Sequence, residues 1–331
     1  MPRKAILPVA LILLGLAGLI WCAWDAAASR SALMSAVKVN STAQIDWQPE
    51  NAPDWYVVDS SEALASYESV AQGLIAPGED TTEGRAFRLF HHVSQLGGHD
   101  VYEQDVRSVP SDDVRVMMEQ ANSHEFQGNC SDYSYILQTL AQTAGLHSRV
   151  VGMHADVWMD GWGHALNEIY IPERAKWVAL DPLRHAYFTD ARGEPLSLRE
   201  VRERILNNRE ADLKVIQGTI QAKPDSAEQV VRYYRNHIDR ISYQGSLDLI
   251  EGRDRIYDSW LANVIQMETL PRPVRRALEN GLWSKDRHYL FVDRPEVNDT
   301  LSGYFVFRGS LALIFLCSIW LIGLGIVSRR D

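Results

Sequence analysis

Two long apolar runs without a charged residue lie near the ends of the chain, at 5–24 and 309–328. As a helix, each run would rise about 30 Å, the thickness of a bilayer's hydrocarbon core. Basic pairs lie on the terminal side of each run, at Arg3-Lys4 and Arg329-Arg330. The positive-inside rule therefore predicts two membrane helices, both termini in the cytoplasm, and the intervening segment outside it.

A cleaved signal peptide is the alternative for the first run, since Ala26-Ala27-Ala28 supplies small residues for a cleavage site. The apolar stretch is longer than the apolar region of a usual signal peptide, which has roughly 7–15 residues. The length therefore favours an uncleaved anchor.

Apolar positions recur every three or four residues between 59 and 145, which predicts consecutive amphipathic helices. Three of these helices precede Cys130 and begin near Asp59, Thr81 and Pro110. A fourth begins at Cys130 and ends before Gly145, a residue typical of the position after a helix. Its apolar positions follow one face: Tyr133, Ile136, Leu137, Leu140, Ala141 and Ala144.

After this helix the apolar period changes from 3.6 to 2, which predicts strands over 148–159, 164–171 and 176–181. The short turns between them indicate an antiparallel sheet. Helices followed by strands predict an α+β fold, with the Cys130 helix packed on the sheet. The predicted segments are cytoplasmic tails (1–4, 329–331), membrane helices (5–24, 309–328), a tether (25–58), the α+β domain (59–207) and a mainly helical extension (208–308).

The chain carries a formal net charge of −10, and its basic flanking pairs lie outside the predicted domain, which is therefore more acidic still. An acidic surface repels phosphate, so nucleic acid is not expected as a partner. Of three cysteines, Cys22 and Cys317 lie in the apolar runs, which leaves Cys130 without a partner for an intrachain disulfide. A single thiol outside the cytoplasm is either accidental or reactive.

Cys130 lies where a loop becomes a helix. A thiol attacks an acyl carbon as thiolate, and the partial positive charge of a helix N-terminus lowers its pKa. A small buried core residue is the alternative, but the polar neighbours Asn129, Ser131 and Asp132 are unlike a core. The local sequence thus favours a nucleophile.

A base and an orienting carboxylate follow Cys130 in the chain. His164 begins a predicted strand, and His154 and His185 are the alternatives. Asp181 ends the next strand, where a carboxylate can accept from an imidazole; a turn residue before Pro182 is its alternative role.

Metal binding is the remaining use for the histidines. The adjacent pair His91-His92 lies on a predicted helix, where neighbouring side chains diverge. We therefore expect no metal and no cofactor.

Three stretches resemble the transglutaminase-like superfamily. Gly128–Tyr133 with Gly145–Val150 is similar to its nucleophile region, Gly163–Tyr170 to its histidine strand and Trp177–Pro182 to its aspartate strand. The resemblance implies a papain-like fold and thioester acyl-enzyme chemistry. It assigns Cys130 as nucleophile, His164 as base then acid, and Asp181 as orienter.

The family often has an aromatic residue where this chain has Leu166, which removes an expected aromatic wall beside the imidazole. The N–H of Cys130 is one expected oxyanion donor. Gln127, Trp162 and Glu168 are further candidates for oxyanion or substrate contacts.

The expected function is acyl transfer from an amide or peptide, by hydrolysis or cross-linking, on a protein, peptide or cell-envelope substrate outside a bacterial-type inner membrane. The alternative is a non-catalytic membrane scaffold that uses the same fold to bind a protein or polymer in envelope or surface-polysaccharide assembly. The intact trio of reactive residues favours the enzyme.

Overall fold

The computed structural model describes residues 3–29, 38–40, 47–54, 56–75, 81–96, 113–122, 126, 128–154, 163–218, 226–244, 246–264, 266, 288–291 and 309–321. Within these ranges, the side chains of 3–6, 21–29, 38–40, 122, 154, 240, 246 and 288–291 are not described.

The helices are α1 (Arg3–Ser29), α2 (Ser61–Leu64), α3 (Glu68–Leu74), α4 (Thr82–Ser94), α5 (Val114–Asn122), α6 (Cys130–Thr143), α7 (Leu198–Leu206), α8 (Ala227–His237), α9 (Glu251–Tyr257) and α10 (Trp260–Val264). A further helix covers 309–321. The strands are β1 (Lys38–Asn40), β2 (Val57–Val58), β3 (Ser148–His154), β4 (Gly163–Ile171), β5 (Lys176–Asp181), β6 (Ala186–Thr189), β7 (Lys214–Gln217), β8 (Arg240–Gln244), β9 (Ser246–Leu247) and β10 (His288–Phe291).

The described residues form an eight-stranded sheet in the order β1-β10-β8-β3-β4-β5-β6-β7. Its neighbours are antiparallel except for the pair β1–β10. The central strands are β3, β4 and β5, in register at Met153 with His164 and at Asn167 with Leu180. The predicted α+β class and the antiparallel sheet are therefore confirmed.

One face of the sheet is covered by α2 to α6. Side chains of β4 and β5 that point to this face, including Ile169 and Leu180, join a continuous apolar core with α4, α5 and α6. Ile136, Leu137 and Leu140 of α6 are completely buried in it. Burial of each such side chain contributes roughly 1.5–3 kcal/mol, so this core fixes α6 on the sheet as predicted.

The opposite face is covered by α7 and α8. Leu166 and Ala179 point to this side and pack with Val201 of α7 and with Val230 and Tyr234 of α8. The sheet is thus enclosed between two helical layers, because alternate residues of a strand point to opposite faces.

Residues beyond 207 also extend the sheet, which the sequence pattern missed. β7 pairs with β6 on one side, and β8 pairs with β3 on the other. These strands have four and five residues, too short for their periodicity to stand out in a region that reads as helical.

The helix predicted to start at Asp59 begins at Ser61, with Ser60 as its N-cap. The Asp59 carboxylate instead accepts hydrogen bonds from the backbone N–H groups of Ile250 and Glu251 at the start of α9. Asp59 therefore links two segments 191 positions apart.

α1 contains the first predicted membrane segment, and the helix over 309–321 contains part of the second. Residues 322–328 of the second segment lie outside the described residues. Over the part of the chain that the structure describes, no helix has both the length and the apolar character needed to cross a membrane.

A buried ion pair joins the sheet to α7. The guanidinium of Arg149 lies 2.6 Å from Glu168 Oε2, and both side chains are almost completely buried. The other oxygen of Glu168 accepts from the N–H of Leu198 at 2.7 Å. Arg149 lies over the rings of Trp177 and Tyr243, at 4.0 and 4.3 Å, which gives the cation further favourable contacts.

Replacing Glu168 by Gln should destabilise the fold by about 3–5 kcal/mol, since it leaves the buried Arg149 cation without its counter-charge. Denaturant unfolding of the full chain measures the change. The matched control is Glu228→Gln, which breaks the exposed pair with Arg232 and should have no measurable effect. Equal effects of the two changes would show that the buried pair is not important for stability.

Candidate active site

The N-terminus of α6 is held by a reciprocal capping box. The side-chain oxygen of Asn129 accepts from the N–H groups of Ser131 and Asp132, at 3.0 and 3.2 Å. The Asp132 carboxylate in turn accepts from the N–H of Asn129 at 2.8 Å. Such a box fixes the first helical turn. It therefore fixes Cys130, the first residue of α6.

Gly128 is required by packing just ahead of this cap. A Cβ atom at this position would collide with the ring of Phe126 and would lie 2.8 Å from the Cβ atom of Asp132. The close approach of the chain to Phe126 is therefore possible only with glycine, and it sets the direction in which the loop enters α6.

His164 and Asp181 meet on the sheet face that carries α7 and α8. His164 is the second residue of β4, and Asp181 is the last residue of β5. The antiparallel register and the alternation of side chains place both on this face. The distance from His164 Nε2 to Asp181 Oδ2 is 2.6 Å, a short contact in a site where both side chains are buried.

Cys130 completes the arrangement from the other helical layer. Its sulfur forms a hydrogen bond with the His164 imidazole and another with the backbone amide of Ala165. Because Nε2 of the imidazole contacts Asp181, Nδ1 is the nitrogen that faces the sulfur. Cys130 as a residue keeps partial exposure to solvent.

Burial alone would raise the pKa of the Cys130 thiol, but the hydrogen bond and positive charge of His164 outweigh burial and hold that pKa below its usual value. For His164, burial opposes the charged form, and the negative charge of Asp181 raises the pKa well above its usual value. Burial also opposes ionisation of Asp181, yet His164 keeps the pKa of that carboxyl below its usual value. The three directions together favour a thiolate–imidazolium pair beside an ionised carboxylate.

Two consecutive tyrosines of α8 lie against this trio, and sequence reasoning did not assign them to it. The hydroxyl of Tyr234 donates to Asp181 Oδ2 at 2.8 Å. The ring of Tyr233 meets the imidazole edge to face, with centroids 5.4 Å apart. In the sequence both residues fit the apolar pattern of a helix, so no local signal separates them from core residues.

Arg184 follows Asp181 in the turn after β5. Its backbone N–H donates to Asp181 Oδ1 at 3.0 Å, and its guanidinium carbon lies 3.3 Å from the centroid of the Tyr233 ring. The turn and α8 therefore hold the two oxygens of Asp181 from different sides. The aromatic wall that Leu166 does not provide is supplied here by Tyr233.

Glu168 lies on the same face of β4 as His164, but its two oxygens are occupied by Arg149 and by the Leu198 N–H. This position makes it part of the buried framework and not of the site around Cys130. The other two candidates for oxyanion or substrate contacts, Gln127 and Trp162, lie outside the described residues.

Among the described side chains, His164 is the histidine in contact with Cys130, and His185 and His154 are the two alternatives. His185 lies in the turn after β5 with a left-handed φ of 51°, and its carbonyl accepts from the Gly218 N–H. His154 ends β3, and its side chain is not described.

No cluster of three or more His, Cys, Asp or Glu residues suited to a metal ion occurs among the described residues. His91 and His92 lie in α4, where burial lowers the pKa of each imidazole. The ionisable groups that the structure brings together at the site are the thiol, the imidazole and the carboxylate.

Comparison with known proteins gives one result. Neither the curated proteins nor the solved structures contain a match to the chain. Residues 68–182 match the family model described as the transglutaminase-like superfamily, whose members are generally cysteine enzymes. The matched segment runs from α3 to the residue after Asp181 and contains the three residues that meet at the N-terminus of α6. This part of the chain is a domain of the transglutaminase-like superfamily.

Proposed function

We propose that the protein is a cysteine acyl-transfer enzyme that acts on an amide or peptide bond, with Cys130 as nucleophile, His164 as base and acid, and Asp181 as orienter. The observation that carries the proposal is the continuous contact from thiol to imidazole to buried carboxylate. A helix N-terminus beside the sulfur adds the second feature that activates a thiol.

The first half of the reaction forms a thioester. The Cys130 thiolate attacks the carbonyl carbon of the amide, and the carbonyl electrons move to oxygen. As the tetrahedral intermediate collapses, the C–N bond breaks and the imidazolium of His164 gives its proton to the leaving amine. Asp181 stabilises the imidazolium and keeps the ring in the required orientation.

In the second half, water or an amine attacks the thioester. The neutral imidazole takes the proton of the attacking group, the C–S bond breaks, and the thiolate–imidazolium pair is restored. Water gives hydrolysis, as in a protease or amidase, and an amine gives a cross-link. The partial exposure of Cys130 is compatible with either acceptor.

The N–H of Cys130 is the proposed donor to the oxyanion. The two amides that follow it, Ser131 and Asp132, are used by the Asn129 side chain. A first-turn N–H directed at a developing negative charge is the usual form of such a donor.

We further propose that the chain is anchored in a membrane by its two apolar runs, with the domain outside the cytoplasm. The runs carry no charge and are flanked by basic pairs on their terminal sides. α1 and the helix over 309–321 also pack closely, since a Cβ at Gly15 would lie 2.8 Å from Ile314 Cγ1. Small residues at a helix contact and exposed leucines such as Leu13 and Leu14 are typical of membrane helix pairs.

The anchoring predicts that protease added outside spheroplasts digests the domain while short tags at both termini stay intact. Permeabilised cells are the control, in which the tags should also be digested. Digestion of either tag in intact spheroplasts would contradict the proposed topology.

Cys130→Ala should abolish acyl transfer and labelling by a thiol-reactive acyl probe, because the bond-forming atom is gone. His164→Ala should lower the labelling rate by about 10²–10⁴-fold, the usual contribution of a positioned acid–base group. Cys317→Ala is the matched control and should label like the wild type, since Cys317 lies in the helix over 309–321.

Complementation of a deletion strain distinguishes the proposed enzyme from the alternative of a non-catalytic scaffold. If Cys130→Ala restored the phenotype as well as the wild type and also labelled equally, the catalytic proposal would be lost and a binding role would replace it.

The Cys130 thiol should react with electrophiles at lower pH than an ordinary thiol does. The lowered pKa of Cys130 gives thiolate at lower pH, and the raised pKa of His164 keeps the imidazolium to higher pH. Alkylation by iodoacetamide should therefore rise at a pH well below about 8.5, the value for a free thiol. Acyl transfer should in addition fall once His164 loses its proton at high pH.

His164→Ala supplies the control for this profile. Without the imidazole, alkylation should rise only near about pH 8.5. Identical profiles for the variant and the wild type would mean that no thiolate–imidazolium pair forms.

A further inference from the structure

We propose that Tyr234 is a positioning residue for the Asp181 carboxylate, so that α8, which lies beyond the family match at 68–182, is part of the active unit. The inference rests on the proposed function of the same site. It adds a residue and an element that neither the resemblance nor the family match assigns.

Three hydrogen-bond donors contact the Asp181 carboxylate among the described residues. Its Oδ2 atom accepts from both His164 Nε2 at 2.6 Å and Tyr234 Oη at 2.8 Å, and its Oδ1 atom accepts from the Arg184 N–H at 3.0 Å. The side chain is 1% exposed. A buried carboxylate is stable as an anion only when donors replace its water, and Tyr234 is one of three.

Tyr234 is itself tightly packed. Its ring packs against Phe188 of β6 with centroids 4.7 Å apart, and the residue is 1% exposed. Val230 and Ile238, one helical turn before and after it, are buried in the same core. The helix starts in a capping box at Ser226. The position of the hydroxyl is therefore set by the packing of α8 on the sheet.

The Tyr234 phenol keeps its proton and so remains a hydrogen-bond donor. Burial, together with the negative charge of Asp181, raises the pKa of Tyr234 well above its usual value, so the phenol remains a donor throughout the range in which the thiol titrates. The groups that face Asp181 are His164 from β4, Arg184 from the following turn and Tyr234 from α8, with Cys130 of α6 beyond the imidazole.

Loss of the Tyr234 donor has a defined consequence. Asp181 becomes easier to protonate and less well oriented, and a neutral or displaced Asp181 no longer holds the proton on His164. Cys130 then keeps its thiolate only at higher pH. Loss of a hydroxyl that merely fills the core would not change the pH at which the Cys130 thiolate forms, because it would affect stability alone.

The test is Tyr234→Phe in the full chain, with the rate of Cys130 alkylation by iodoacetamide measured against pH. The ring and its packing on Phe188 are kept, and only the hydroxyl is lost. We expect the acid limb of the profile, the range in which the alkylation rate rises with pH, to move to higher pH by about one unit. This is the size expected for one hydrogen bond to an ionised group. In an Asp181→Asn background the same change should produce no further shift, since the two residues act through one contact.

The matched control is Tyr56→Phe, which removes a hydroxyl that donates to the Ser148 carbonyl at 2.8 Å, at the far end of β3 from the site. Its acid limb should coincide with that of the wild type even if its melting temperature falls. An unchanged acid limb in Tyr234→Phe, together with a lower melting temperature, would overturn the proposal and leave Tyr234 as a structural residue.

A second measurement covers the case in which Tyr234→Phe does not fold. Replacement of Tyr234 by 3-fluorotyrosine keeps the ring and the hydroxyl but makes the phenol a stronger donor. The acid limb should then move to lower pH, and no movement would again contradict the positioning role. If the wild-type thiol itself titrated like free cysteine, the proposed function would fail, whatever the variants did.

Discussion

The site depends on the short contact between the His164 imidazole and the Asp181 carboxylate inside the fold. Two ionisable groups removed from water carry a large desolvation cost, which only close mutual contact and further hydrogen bonds offset. Here the antiparallel register of β4 and β5 supplies the contact, because it fixes both side chains on one face before any loop is placed. The charge of Asp181 raises the pKa of His164, and the charge of His164 in turn lowers the pKa of Cys130. In the proposed mechanism, activation of Cys130 therefore depends on strand register as much as on the thiol's own surroundings.

The two helical layers make different contributions to this contact. α6 brings the thiol from one side of the sheet, and α8 covers the carboxylate from the other. The imidazole, at the start of β4, is the group that both layers reach. Gly163, next to it, is exposed, and Cys130 is partly exposed, so the accessible side of the site lies at this end of β4. The buried side is the one occupied by Asp181. This division keeps His164 and Asp181 away from solvent, while Cys130 as a residue is partly exposed.

Local sequence was sufficient for α6, β4 and β5, because each has a clear apolar period and a recognisable boundary, such as Asn129 before Cys130. It was not sufficient for Tyr234, whose spacing within α8 is that of any core residue and whose partner lies 53 positions away. The same limit applies to Asp59, which looks like a helix start but caps α9 instead. Local patterns specify which face of an element is buried, but they do not specify which distant polar group a buried hydroxyl or carboxylate will meet.

The extent of the functional unit follows from these distant contacts. The family match ends at residue 182. If the unit also ended there, the Asp181 carboxylate would lose the Tyr234 donor. The apolar sheet face at Leu166 and Ala179 would also lose the helices that cover it. Such a unit would also leave β3 as an open sheet edge, since β8 pairs along it from Val151 to His154. Each of these losses exposes apolar surface or unpairs polar groups within reach of the site. In the proposed mechanism the reacting residues belong to the matched segment, but the contacts that hold their elements in place extend as far along the chain as Gln244.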